Sequence, residues 1–211
     1  MRVIDTYLGT AGQAVALLGT PEVAAAWHRP SVLPKMTVNS LAGHLSYQIF
    51  SVGPALEELE SDEAPIPLLE HYAQAAWIDA PLDGDVNTGI RAKGEHIASE
   101  GPPSLTDRAR TALDEQQTKL AACSADQAVF MPQTGWALRL DDFLVTRMLE
   151  LAVHMDDLAV SVGLTAQELP DAAFDHVLVL LTRLAARRHG QAPLLRALTR
   201  AERAPAAINA I

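Results

Sequence analysis

Only one cysteine, Cys123, occurs in the 211 residues, so no intrachain disulfide can form and a reducing compartment is the expected setting. Cys123 itself reads as a small packing residue rather than a nucleophile. Aromatic residues make up only 5%, and β-branched alternation is nearly absent, which removes the period-two signature of a sheet protein. Positive charge is scarce as well: 16 Lys+Arg stand against 26 Asp+Glu, a formal charge of −10. An acidic surface repels phosphate backbones and no basic-aromatic motif offsets it, which argues against nucleic acid as a partner. Long apolar runs are missing too. The densest, Val177 to Leu181, is far shorter than the roughly 20 residues of a membrane-spanning helix, and Asp5 interrupts the first apolar stretch before a signal-peptide core can form. A cytoplasmic protein without a membrane segment is the expectation.

What is abundant is Ala and Leu, within a hydrophobic content of 49%, enough to bury one substantial core. The periodicity predicts an all-α chain forming one domain over 1–211, since neither an internal repeat nor a Ser/Gly-rich linker divides it. Helices are expected over Val3–Leu18, briefly after Thr20-Pro21, over Val38–Glu60 with Thr37 as N-cap, and near Leu68–Ile78. Others follow over Asp85–Ser99, Leu105–Cys123 capped by Ser104, Asp141–Val162 ended by Gly163, Asp171–His189 ended by Gly190, and Leu194–Ala204. The Pro-rich stretch 29–36 reads as an extended connector, Pro81–Gly84 as a turn, and 124–139 as a loop. The acidic run Glu57 to Glu63 reads as a solvated face.

One predicted helix carries chemistry. Residues 143–160 are apolar on nearly every side, so the helix should be buried, yet Arg147, Glu150, His154, Asp157 and Ser161 form a polar stripe at spacings of three and four. Buried charges need partners, which a metal or an internal salt bridge could supply. Glu150 and His154, four apart, can converge an oxygen and a ring nitrogen on one ion, and His44 on the apolar face of the second long helix is a candidate third ligand. Gly43 beside it would permit close helix approach. The remaining histidines, His28, His71, His96, His176 and His189, read as structural or solvent-exposed. The arginines 183, 187, 188, 196, 200 and 203 could meet an anionic substrate or simply solvate a helix face, the commoner role.

Two segments carry a family resemblance. Trp27-His-Arg-Pro-Ser-Val-Leu-Pro-Lys-Met-Thr-Val-Asn-Ser-Leu-Ala-Gly-His-Leu resembles the W-x-x-P-S-x-x-P-G-W-T-V-x-D-L-x-x-H-L motif of the mycothiol-dependent maleylpyruvate isomerase family. Arg147-Met-Leu-Glu-Leu-Ala-Val-His-Met-Asp-Asp-Leu is similar to its R-x-x-E-x-x-x-H-x-x-D-L, and the likeness extends to Leu198–Pro205. The resemblance implies a DinB-like four-helix bundle, with additional short C-terminal helices here. It also implies a divalent metal, usually zinc, held by His44, Glu150 and His154, with Asp157 as outer support and Arg147 matching the leading arginine, a candidate contact to the thiol cosubstrate. Lys35-Met36 replaces the family's Gly-Trp and Ser40 its Asp, so the wall of the site beside the second helix is expected to differ. The family's isomerase has a further C-terminal domain for which this chain, ending at Ile211, is expected to have no room.

Three protein ligands leave one coordination position open, the pattern of a catalytic rather than a structural site. A thiol entering that position would ionise and could add to an electrophile. The resemblance names the thiol as mycothiol, which implies a thiol transferase or a thiol-dependent isomerase acting on a small electrophile. The alternative is a metal-binding or interaction protein of the same fold without turnover. A homodimer is left open as the assembly.

Overall fold

A computed structural model describes residues 2–57 and 63–211. Its helices in chain order are α1 (Val3–Leu18), α2 (Pro21–Ala25), α3 (Val38–Phe50), α4 (Val52–Glu57), α5 (Leu68–Ala73), α6 (Asp85–Ile97), α7 (Pro102–Leu120), α8 (Leu140–Ser161), α9 (Asp171–His189) and α10 (Gln191–Thr199). Strands β1 (Ala128–Met131) and β2 (Trp136–Arg139) form an antiparallel hairpin between α7 and α8. The helices α1, α3, α7 and α8 pack against one another as a four-helix bundle, α6 lies against α3, and α9 packs on α8 and α10. The all-α expectation therefore holds. Among the described residues no helix is long and apolar enough to cross a membrane.

The apolar spacing explains which faces meet. On α1, Ile4, Tyr7, Ala11, Ala14, Val15 and Leu18 are buried, a stripe at three- and four-residue steps. On α8, Leu144, Met148, Leu149, Leu151 and Leu158 are fully enclosed, each contributing roughly 1.5–3 kcal/mol through its burial. Two buried polar groups cross-link three bundle helices. Tyr7 Oη donates to Gln116 Oε1 at 2.8 Å, and Gln116 Nε2 donates to the Ile49 carbonyl at 2.7 Å, near the end of α3.

Three local expectations need correction. The helix expected over Val38–Glu60 is two helices, because Pro54 has no N–H to offer the Phe50 carbonyl and its ring crowds that carbonyl, so α3 stops there and α4 restarts at Val52. The end of the expected helix and most of the acidic run, residues 58–62, lie outside the described residues, while Glu57 pairs with Lys119 at 3.0 Å. Ser104 does not cap α7. The helix starts at Pro102 after Gly101, whose φ of +91° makes the turn, and Ser104 donates to Glu100 at 2.6 Å. The stretch 124–139 holds the hairpin rather than a loop: Val129, Met131, Ala137 and Leu138 are buried, and the backbone turns at Gly135 with φ +82°. Such a short hairpin would not stand alone, and it is held by contacts to α4 and α8 and by the Ile66 N–H bonded to the Ala137 carbonyl at 2.9 Å.

The departures at Lys35 and Ser40 act on how α3 meets its neighbours. Lys35 adopts φ +63°, the left-handed region that favours glycine, and its ammonium pairs with Asp83 in the 81–84 turn. Ser40 Oγ donates to the Arg91 carbonyl of α6 at 2.9 Å.

Candidate metal centre

Two bundle helices assemble the site. α3 contributes His44 and, one turn on, Gln48; α8 contributes the whole polar stripe. Its charges find partners across the α3–α8 contact and along α8 itself. Arg147 Nη1 donates to Gln48 Oε1 at 2.6 Å, and Arg147 Nε donates to Thr146 Oγ1 at 3.1 Å. At the far end, Ser161 Oγ donates to the Asp157 carbonyl at 2.6 Å and accepts the Val32 N–H at 3.0 Å, tying to α8 the 29–36 stretch, which is not an extended connector but folds back on itself through the Pro30–Thr37 bridge and the Ser31 N–H to Met36 carbonyl bond at 2.9 Å.

Between these ends, Glu150 Oε2 lies 3.5 Å from His44 Nε2 and 3.4 Å from His154 Nε2. The two imidazoles meet edge to face with centroids 4.7 Å apart, so His44 lies well within the reach of His154 that a shared ion requires. The three donor atoms all fall within 4.8 Å of one another. A tetrahedral ion with bonds of about 2.0–2.1 Å separates its ligands by roughly 3.3–3.4 Å, so the two separations to Glu150 already suit a common ion. Nitrogen, nitrogen and carboxylate oxygen are a donor set zinc accepts. Among the described residues no fourth His, Cys, Asp or Glu joins this group, and the three side chains keep 16–17% of their surface exposed.

Asp157 Oδ2 stands 3.0 Å from His154 Nδ1, the ring nitrogen turned away from Glu150. This bond fixes the imidazole's orientation from behind. Burial opposes a charge on His154, but Asp157 and Glu150 on either side outweigh it and push its pKa up to about 9. Burial also opposes ionisation of Glu150, yet hydrogen bonds from His154 and His44 hold its carboxyl well below the usual carboxylate range. For His44, burial dominates the bond to Glu150 and pushes the pKa down.

The other histidines stand apart from this group. His28 and His96 are exposed, His189 Nε2 contacts the Asn209 carbonyl at 2.8 Å, and His176 lines a separate cleft of about 600 Å³ with Ile66, Val145 and Leu180. His71 is buried, and Trp136 Nε1 donates to its Nδ1 at 3.1 Å; burial and the Arg147 cation lower its pKa to about 4, leaving a neutral ring. Of the C-terminal arginines, Arg187 bonds the Leu69 carbonyl at 3.0 Å and fastens α9 to α5, and Arg188 pairs with Asp79 and fastens α9 to the segment after α5. Cys123 is half-buried and donates to the Lys119 carbonyl at 3.4 Å. Gln48 is the site residue that motif reading passed over, although a glutamine one turn from His44 on an apolar face already signalled a buried amide in need of partners.

The family model described as the mycothiol maleylpyruvate isomerase N-terminal domain matches residues 8–159, a span that includes His44, Glu150 and His154. The crystal structure of the mycothiol-dependent maleylpyruvate isomerase is similar in fold, with 18% identity and a TM-score of 0.50 over 87% of this chain and 68% of that one. No curated protein matches.

Proposed function

Because the chain belongs to the family of the mycothiol maleylpyruvate isomerase N-terminal domain, we propose that it is a divalent-metal-dependent enzyme of the cytoplasm. In this reading it uses mycothiol to transfer to, or isomerise, a small electrophilic molecule. The observation that carries the reading is a three-donor centre, His44, Glu150 and His154, with no fourth protein donor among the described residues and with part of its surface open to solvent. A structural site would be closed by four protein ligands.

Zinc is the ion that this donor set fits best. When bound, it supplies Lewis acidity, lowering the pKa of a thiol brought to the open position. The chain's own residues do the rest. His44 and His154 present ring nitrogens from facing helices, Glu150 brings the negative charge, and Asp157 holds His154 in place. Arg147 uses Nε and Nη1 within the protein, and Nη2 is assigned to the thiol cosubstrate.

Cobalt-substituted protein tests the proposal. Mycothiol should produce a sulfur-to-metal charge-transfer band that strengthens as pH rises and the thiol ionises. An unchanged spectrum at saturating mycothiol, with a simple dithiol behaving the same way, would move the protein to the non-catalytic metal-binding class. Asp157→Asn should weaken metal affinity by about 10–100-fold while leaving the site fillable, because the asparagine can still bond His154 but brings no charge. Competition against a chelator measures it, and an affinity equal to that of the unaltered protein would refute the assignment.

A further inference from the structure

Helix α5 carries two buried rings that each present an unused hydrogen-bond donor. His71 keeps 8% of its surface exposed and Tyr72 4%, and the rings meet edge to face with centroids 5.1 Å apart. Trp136 opens β2, which runs directly into α8, and its indole Nε1–H reaches across to His71 Nδ1 at 3.1 Å. An indole nitrogen can only donate, so Nδ1 accepts and carries no hydrogen. Among the described residues no other group bonds Nδ1, and the N–H of the ring therefore resides on Nε2. This Nε2–H and the Tyr72 hydroxyl have no partner among the described residues, and neither is sealed in the core, where the enclosed side-chain atom lacking a partner is Gln13 Oε1. The charges of Arg147 and Glu150 act on both rings, which sets them beside the metal centre although neither is one of its ligands.

We propose that His71 Nε2–H and Tyr72 Oη–H form a substrate-facing wall of the centre, a pair of neutral donors for a carbonyl or carboxylate oxygen of the electrophile, and that Trp136 is the positioning residue that keeps His71 in its donating form. The ligand chemistry follows from the donors. A molecule without an acceptor would bury two N–H and O–H groups unpaired, and a site built to bond an oxygen rejects such a molecule strongly. Arg147 and Glu150, opposite in sign, offset each other at these rings, so hydrogen bonding rather than net charge selects the ligand. Naming that ligand the electrophile rests on the function proposed above; the donor pair and its tautomer do not.

Long-range proton–nitrogen NMR of histidine-labelled protein, with and without zinc, reads both the tautomer and the ligand. His71 should show a protonated Nε2 and an unprotonated Nδ1. Crotonate, a small unsaturated carboxylate, should shift the Nε2 resonance, whereas crotylamine, whose ammonium group can only donate, should not. Tyr72→Phe should weaken crotonate by about 10-fold without lowering the urea midpoint, because the hydroxyl it removes has no internal partner; a merely structural ring would not separate the two. His71→Phe should weaken crotonate as much. Trp136→Phe frees Nδ1, so it should move that nitrogen's resonance and weaken crotonate as well, since the ring can then present either nitrogen. Tyr72→Phe keeps the test decisive if the other two variants do not fold. A His71 ring protonated on Nδ1, an equal response to crotylamine, or a crotonate affinity that neither Tyr72→Phe nor His71→Phe changes would overturn the proposal. Crotonate held by both rings in protein that takes up no zinc would overturn the metal reading and leave the donor pair standing.

Discussion

His154→Ala should lower zinc affinity by at least about 100-fold, while His96→Ala and His189→Ala leave the metal content of the purified protein unchanged. Loss of one of three protein ligands removes more than loss of an outer partner, which alone costs about 10–100-fold. The substitution also leaves Glu150 and Asp157 facing a cavity where a shared imidazole had stood, so the two carboxylates lose the group that compensates them. His96 is exposed, and His189 is bonded at the far end of α9 to the Asn209 carbonyl. Elemental analysis of protein purified without added metal decides the matter. Equal stoichiometry in His154→Ala and the unaltered protein would remove His154 from the ligand set.

The same centre should release one proton for each ion bound near neutral pH. Without an ion, His154 is protonated up to about pH 9, whereas His44 is shifted toward its neutral form and Glu150 toward its ionised form. An ion needs all three unprotonated, so His154 alone yields a proton in this range. The logarithm of the affinity should climb with pH at a slope of about one and level off near pH 9. The sign for the metal-free fold is opposite. A folded-state pKa raised above the usual histidine value stabilises the protein fully below about pH 6.5, and this contribution fades as pH rises toward 9. Titration calorimetry in buffers of different ionisation enthalpy counts the released protons. Zero or two would contradict the assignment.

The polar stripe on α8 was legible because burial and helical spacing act together. Once Leu144, Met148 and Leu151 demand a buried helix, Glu150, His154 and Asp157 must find partners inside it, and the only question is which. His44 was readable as a candidate cross-helix ligand from its place on the apolar face of α3, and the family motif singled it out among the many α3 residues that periodicity places on the inner face. The break at Ser51 was readable in principle from Pro54, but an apolar pattern continuing from Ile49 to Leu56 concealed it. The hairpin was harder. Its eight paired residues are too few for alternation to stand out, and their order comes from packing against α4 and α8, which local sequence does not contain. The same limit applies to Gln48, whose role depends on an arginine 99 positions away, and to Gly43, whose close contact proved to be with α6 rather than α8.

That contact sets up the largest stability effect expected in the chain. A Cβ on Gly43 would lie 2.0 Å from the Gly94 carbonyl oxygen and 2.8 Å from its carbon, and a Cβ on Gly94 would lie 2.3 Å from the Ser40 carbonyl oxygen. The obstacles are backbone atoms in helices, so no side-chain rotation relieves them; α6 must move away from α3 by more than an ångström or the helix must bend. Gly43→Ala should therefore destabilise the protein by about 2–4 kcal/mol, at the upper end of overpacking penalties, despite alanine's higher helix propensity. Gly89→Ala in α6 provides the contrast, because nothing lies within 4 Å of its added Cβ. There the propensity gain acts alone and should stabilise by up to about 1 kcal/mol. Since His44 is the next residue after Gly43, the folded fraction of Gly43→Ala should also bind zinc more weakly, as displacement of α3 carries its imidazole off the position facing Glu150. Urea unfolding of both variants measures the pair. Equal midpoints would mean that α3 and α6 have room to separate freely, and the close crossing would then have no part in holding the metal centre together.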